Sequence, residues 1–367
     1  ILYNKYKIII TNPPYLNNSV MSDDLKKYLL KNYSLSKTDL FTCFIDRCNN
    51  WIEPDGYSCL VTMQSWMFLP SFSEFRKMII ENFDISTLLY MDNNVMGIAF
   101  GTVATVFKNR IDNKYCSGYY CEVKYQDIKN DYPLNFPIEN NRNNYSTLQK
   151  FLQLPNYNFS YWLDDRTVKL FTGENISNYA EAKQGLATGC NDIFMRFWYE
   201  VNNCKVNYHA QNIDEALESR KKWFPYNKGG ACIKWYGNND YIVNWENDGY
   251  EIKHFTDVKG KLRSRPQNMN YYFKKSITWS LTNSVRFGVR FKDNGNIFDI
   301  NGMSLFIKNE EYQNYFMGFL NSNTAFMLLK TINPTMANQS GDILKLPIII
   351  ADNKIEMINE LVLSNIK

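Results

Sequence analysis

The chain has 367 residues, enough for about two domains with a core each. Hydrophobic residues at 45% fit a globular protein, and no apolar run approaches the roughly 18 residues that a membrane-spanning helix needs. The net charge of +4 is too weak to make the whole surface a nucleic-acid footprint, and eight Cys without a Cys-x-x-Cys pair, beside only two His, argue against zinc and for free thiols in a reducing cytoplasm.

In chain order, Tyr6-Lys7-Ile8-Ile9-Ile10-Thr11 reads as a short buried strand that delivers Asn12-Pro13-Pro14-Tyr15 at its C-terminal end. Ser22-Asp23-Asp24-Leu25 is a capped helix start, and 39–48 is an amphipathic helix. Glu53-Pro54-Asp55-Gly56 is a turn before a buried strand over 57–62. A helix over 72–81 and strands over 85–91 and 101–107 follow. From about 108 to 165 the alternation weakens and Asn, Tyr and Pro dominate, which predicts one or two strands and then a linker. From about 166 to 350 short β-like runs are broken by Gly and Asn, with helices expected over 213–221 and 310–330. The apolar stripe over 312–320 reads as a packing helix. The expected domains are 1–125, a linker over 126–165, and 166–367 ending in helices.

The run Asn12-Pro13-Pro14-Tyr15 after an Ile-rich strand resembles the catalytic loop of S-adenosylmethionine-dependent amino-methyltransferases. The residue types suit that chemistry. A conjugated amine is a poor nucleophile because its lone pair is delocalised. The Asn12 carbonyl and the Pro13 carbonyl each accept one amine hydrogen, which localises the lone pair and aims it at a methyl donor. Two prolines stiffen the loop, and Tyr15 offers a flat face to an extruded base. Asn-Pro is also an ordinary turn signal, the plainer reading of the same residues. Such an enzyme needs a Gly-rich strand-to-helix turn for its cofactor, and no Gly-x-Gly pattern appears here. Only eleven residues precede Asn12, so the main cofactor site is expected upstream of this chain, leaving the site for S-adenosyl-L-methionine incomplete.

Further stretches sharpen the resemblance: Asp39-Leu40-Phe41, Gln64-Ser65-Trp66, Gly185-Leu-Ala-Thr-Gly-Cys-Asn-Asp-Ile-Phe194, Lys234-Trp-Tyr-Gly-Asn238, Val243-Asn-Trp-Glu-Asn-Asp-Gly249 and Arg265-Pro-Gln-Asn268. With these the chain is similar to the adenine-specific DNA methyltransferases of bacterial phage-exclusion (BREX) systems, the PglX family. More distantly it resembles type IIG restriction–modification enzymes. The resemblance implies methylation of the exocyclic amine of adenine in double-stranded DNA, other defence-system proteins as partners, and no membrane. It implies an α/β fold: the second half of a Rossmann-like methyltransferase sheet, followed by a mostly β (α+β) target-recognition domain. The chain would then be the C-terminal portion of such an enzyme, inactive alone.

Within that frame Phe100, before Gly101-Thr102, is a second candidate for base stacking, with a core Phe at a strand start as the alternative. Trp66 and Phe68 are other candidates. The basic cluster Lys259, Lys261, Arg263, Arg265, Lys274 and Lys275, interleaved with Tyr271, Tyr272, Phe273 and Trp279, is the candidate DNA-reading surface; a solvated charged face is the alternative. Arg286 and Arg290, flanking Phe287-Gly288, are weaker DNA-binding candidates. The Thr188-to-Phe194 run reads as a tight turn that either caps its own backbone or approaches phosphates. No carboxylate cluster supports a nuclease: Pro54-Asp55 and Glu181-x-Lys183 lie far apart. Two other functions stand beside the first, a protein glutamine methyltransferase and a DNA-binding recognition module without catalysis.

Overall fold

The computed structural model describes residues 4–110, 114–128, 139–282 and 286–366. The chain divides into two compact units, 1–172 and 173–367.

The first unit is built on one six-stranded mixed sheet. Its elements are β1 (Tyr6–Thr11), α1 (Asp23–Asn32), α2 (Leu40–Trp51), β2 (Ile52–Met63), α3 (Ser73–Asn82), β3 (Phe83–Met91), β4 (Thr102–Asn109), β5 (Ser117–Val123), β6 (Asn144–Thr147), α4 (Leu148–Phe151) and α5 (Asp165–Leu170). Strand order is β1-β2-β4-β3-β5-β6. β1 and β2 run parallel, joined by the α1–α2 crossover, whereas β4 is inserted antiparallel between β2 and β3. The Pro54-Asp55-Gly56 turn appears as a bulge inside β2. Tyr6 pairs with Ile52 but Ile8 with Tyr57, so the residues between them loop out, with Asp55 at φ +60°.

β1 is not the buried strand its Ile run predicts. It lies at the end of the sheet, and Ile8 and Ile10 are 62% and 78% exposed. Apolar sequence alone cannot separate a central strand from an edge strand. The stretch expected as a linker differs too. Residues 129–138 lie outside the described residues, but β6, α4 and the segment to Val168 pack into the first core. Leu148, Phe151, Phe159 and Tyr161 join Trp66, Phe75 and Phe107 there. A fully buried arginine ties this segment in: Arg76 on α3 donates to the carbonyls of Trp66 at 2.6 Å, Leu69 at 2.9 Å and Asn156 at 2.7 Å.

The second unit carries two four-stranded sheets. Its elements are β7 (Ala180–Lys183), α6 (Asn191–Phe194), β8 (Met195–Phe197), α7 (Ile213–Glu218), β9 (Trp223–Asn227), β10 (Tyr241–Asn244), α8 (Glu246–Lys253), β11 (Ser276–Ser280), β12 (Val289–Lys292), β13 (Ile297–Phe298), β14 (Gly302–Ile307), α9 (Gln313–Leu320), α10 (Asn323–Ile332), α11 (Ser340–Leu344) and α12 (Ile355–Ile366). The sheets are ordered β13-β9-β10-β8 and β12-β11-β14-β7. The long helix expected over 310–330 is broken at Asn321-Ser322, where Ser322 caps α10 by accepting from Ala325 N–H at 3.1 Å. Asn321 closes α9 and its side chain bonds the Val289 backbone in both directions, fixing the helix pair to β12. Among the described residues no helix is long and apolar enough to cross a membrane.

Candidate active-site loop and nucleic-acid interface

Asn12-Pro13-Pro14-Tyr15 leaves the C-terminal end of β1. Asn12 and Pro14 are exposed, Pro13 is buried and Tyr15 is half-buried. Three contacts fix Tyr15. Its hydroxyl donates to the Val61 carbonyl of β2 at 3.3 Å. Its ring meets Phe41, at the start of α2, edge-on at 5.9 Å. Its other contact is Phe100, with centroids 6.1 Å apart and planes at 68°. Burial raises its phenol above the usual tyrosine range, so it stays protonated at neutral pH. Phe100 is 37% exposed, and the two aromatics predicted separately from sequence meet each other, Tyr15 standing three residues after Asn12. The Phe100 loop is anchored where Gln64 N–H donates to the Gly101 carbonyl at 3.2 Å. A Cβ at Gly101 would fall 2.4 Å from the Gln64 amide, so a larger residue there would require the Gln64 side chain to move. Trp66 and Phe68 are not stacking surfaces. They are 0% and 4% exposed within the first core, because the turn after β2 folds inward under α3.

The loop's far side is held by a residue whose role was not legible in sequence. The buried Asp39 carboxylate accepts from Leu16 N–H at 3.1 Å and from Phe41 N–H at 3.5 Å. The second contact is an ordinary helix cap that sequence indicates. The first joins positions 23 residues apart and has no sequence signal.

In the second unit the basic residues predicted as one cluster fall on two surfaces. Lys259, Lys261, Arg263 and Arg265 are exposed along a hairpin closed by the Thr256–Leu262 bridge. Its turn is organised by Asp257, which accepts from the amides of Lys259 and Lys261 at 2.8 and 2.9 Å. The hairpin base pairs with the Gly185–Gly189 loop through reciprocal Ala187–Arg265 bonds of 3.1 and 2.8 Å. Gly189, at φ +79°, lies so close that a Cβ would sit 2.9 Å from the Arg263 backbone. Thr188 Oγ1 donates to Asn191 Oδ1 at 2.8 Å, a bond between side chains and not a cap on the backbone, and the loop pairs with the basic hairpin through Ala187.

Lys274 and Lys275 line a separate cavity of about 320 Å³ with Lys308, Glu181, Glu310 and Tyr271. Their charge is partly offset there. Lys275 faces Glu310 at 3.9 Å, and the neighbouring Lys183 pairs with Glu181 at 2.6 Å. Of the interleaved aromatics only Tyr271 is half-buried. Tyr272, Phe273 and Trp279 are core residues at 1% exposure or less. Arg286 is exposed, but Arg290 is wholly buried on β12, donating to the Ile233 carbonyl at 3.4 Å and Ser280 Oγ at 3.3 Å. A side chain without exposure cannot reach DNA, so Arg290 leaves the candidate surface.

Residues 2–96 match the family described as Eco57I restriction-modification methylase. Over 358 residues, 95% of its length, the chain is 32% identical to the adenine-specific methyltransferase PglX of Lacticaseibacillus casei (strain Zhang). Over that span the chain resembles PglX. It is also 30% identical over 355 residues to the adenine-specific methyltransferase BrxX of Escherichia coli O9:H4 (strain HS). It spans 30% of the first relative's length and 28% of the second's. Among solved structures, the type IIL restriction-modification enzyme MmeI in complex with DNA aligns over 97% of this chain and 48% of its own, with a TM-score of 0.58 at 13% identity. The DrdV–DNA complex aligns over 98% of this chain and 44% of its own, with a TM-score of 0.50 at 13% identity. At these identities the likeness is one of fold: a mixed α/β architecture.

Proposed function

We propose that this chain carries the catalytic loop and the target-recognition unit of a DNA methyltransferase acting on the exocyclic amine of adenine, in a phage-defence or restriction–modification system. The observation that carries the reading is the exposed Asn12 after β1, in the same loop as Tyr15, whose ring meets Phe100. An adenine swung out of the duplex stacks against Tyr15, with Phe100 on the loop opposite. Asn12 Oδ1 and the Pro13 carbonyl accept its two amine hydrogens. The residues catalyse by positioning, so no general base with a shifted pKa is required.

The first unit is read as the second half of a Rossmann-like sheet, because its parallel β1–β2 pair and inserted antiparallel β4 give that half's arrangement. The second unit is read as the reader of double-stranded DNA through the Lys259–Arg265 hairpin. The residues at the loop fit the acceptor amine. The methyl donor, S-adenosyl-L-methionine, supplies an electrophilic methyl group when bound, and its main site is proposed to lie outside the residues assigned here. Other defence-system proteins are proposed partners. A glutamine methyltransferase would use the same loop on an amide, but it offers no role for a second unit spanning 173–367.

The test is Asn12→Ala in the intact protein. Adenine methylation is expected to be abolished with duplex affinity kept, because Asn12 acts on the amine and not on the backbone. Methylation near the wild-type rate would refute the assignment. Duplex binding without any methylation by the wild type would favour a recognition module.

A further inference from the structure

We propose that Asp39 is the positioning residue of the Asn12–Tyr15 loop, its buried carboxylate holding the loop through the Leu16 amide. The inference rests on the methyltransferase reading and adds to it a residue that never touches substrate. The loop is fixed at its start by β1, whose Thr11 is in register with Leu60 of β2. Past Tyr15 it is held against the entry of α2. There Leu16 N–H meets Asp39 Oδ1 at 3.1 Å, and Leu40 N–H donates back to the Leu16 carbonyl at 3.0 Å. Asn18 N–H adds a third bond to the Thr38 carbonyl at 3.1 Å. The segment after Tyr15 is thereby zipped to the entry of α2, and the Asn17–Asp39 bridge is its centre.

The same carboxylate oxygen caps α2 at Phe41 N–H, and the Phe41 ring is the one that meets Tyr15 edge-on. One acidic side chain therefore sets both the backbone after Tyr15 and the ring beneath it. An Asp39 that is only 6% exposed and accepts two backbone amides has little freedom to relax, so the geometry is rigid. For a reaction that depends on placing an amine, a misplacement of about 1 Å costs on the order of a hundredfold in rate.

Two variants separate the tether from the helix cap. Asp39→Ser keeps a good N-cap for α2 but is too short to reach the Leu16 amide as well. Asp39→Asn keeps an acceptor for both amides. In the intact protein we expect Asp39→Ser to lose about tenfold or more in kcat for adenine methylation, with duplex Kd, S-adenosylmethionine KM and Tm close to wild type. Asp39→Asn is expected to restore most of that loss. Turnover of Asp39→Ser within about twofold of wild type would overturn the proposal. So would equal losses in both variants accompanied by a falling Tm, which would mark a role in folding alone. A wild-type protein that methylates no adenine would instead overturn the methyltransferase reading and remove the basis of this one.

Discussion

At the residue scale, two buried cations show how position overrides residue type. By residue type Arg290 is a candidate, though a weaker one, for DNA contact, since arginine can read guanine edges. In the fold it is enclosed, and burial pulls its guanidinium down to about 10. Arg290→Ala is therefore expected to destabilise the second unit by about 2–4 kcal/mol, from the cavity and the lost carbonyl bonds. Duplex affinity per folded molecule should not change; urea unfolding combined with a binding titration checks both. Lys292, two residues on, is 3% exposed and donates to the carbonyls of Gly237 and Asn238 at 3.1 Å. Those acceptors favour the ammonium, but burial and the nearby Arg290 charge outweigh them and lower it to about 7. The unfolded lysine titrates near 10.4. Between pH 7 and about 10.4 the unfolded chain holds the extra proton, so this group makes stability rise with pH; below 7 its penalty is constant. Unfolding free energies from pH 6 to 10 should show that rise in the wild type and a flatter profile in Lys292→Met.

At the element scale, the hairpin that carries Lys259 to Arg265 is the strongest candidate for duplex contact. Its basic residues are exposed, whereas Lys275 stands near Glu310. Each phosphate contact releases about 0.9 of a counterion, so the logarithmic salt slope reports how many lysines touch the backbone. Lys259→Ala with Lys261→Ala should reduce that slope by about one unit per contact for all sequences alike. Arg263→Ala or Arg265→Ala should relax preference at particular bases, costing about 1–3 kcal/mol for a bidentate contact. Lys274→Ala with Lys275→Ala should change the slope less than the hairpin pair. Unchanged affinity and slope in the hairpin variants, measured by titration across salt, would make that hairpin a solvated surface.

At the scale of the whole molecule, the two units carry separate tasks in the proposed reaction: the first presents the amine-accepting loop and the second reads DNA. The cofactor task is assigned to neither. Calorimetric titration of the 367-residue chain with S-adenosylmethionine is accordingly expected to give no micromolar site. A micromolar site would place the cofactor pocket within this chain and require its residues to be sought near Asn12. The relatives are more than three times as long in both comparisons, since the chain spans 30% and 28% of them.

The local features were legible because they depend on neighbours in sequence. Asn12-Pro13-Pro14-Tyr15 after an Ile run, the Ser22 cap and the positive-φ glycine at 189 follow from residue type within a few positions, whereas the expected turn at Pro54-Asp55-Gly56 is a bulge inside β2. What tertiary structure decided was exposure and partnership across long separations. Ile8 and Ile10 are exposed because they share one face of the edge strand β1, while Ile9 on the opposite face packs against the first core. Residues 144–163 are core and not linker because aromatic side chains widely spaced in sequence found the same cavity under α3. Arg290 and Trp279 are interior because β12 and β11 are covered on both faces: every residue of β11 and all but one of β12 are buried. Sequence specified the chemistry available at Asn12, Tyr15 and Phe100. Only the fold could bring Phe100 to Tyr15 and Asp39 to Leu16, since contacts between residues so far apart in sequence are set by packing rather than by local preference.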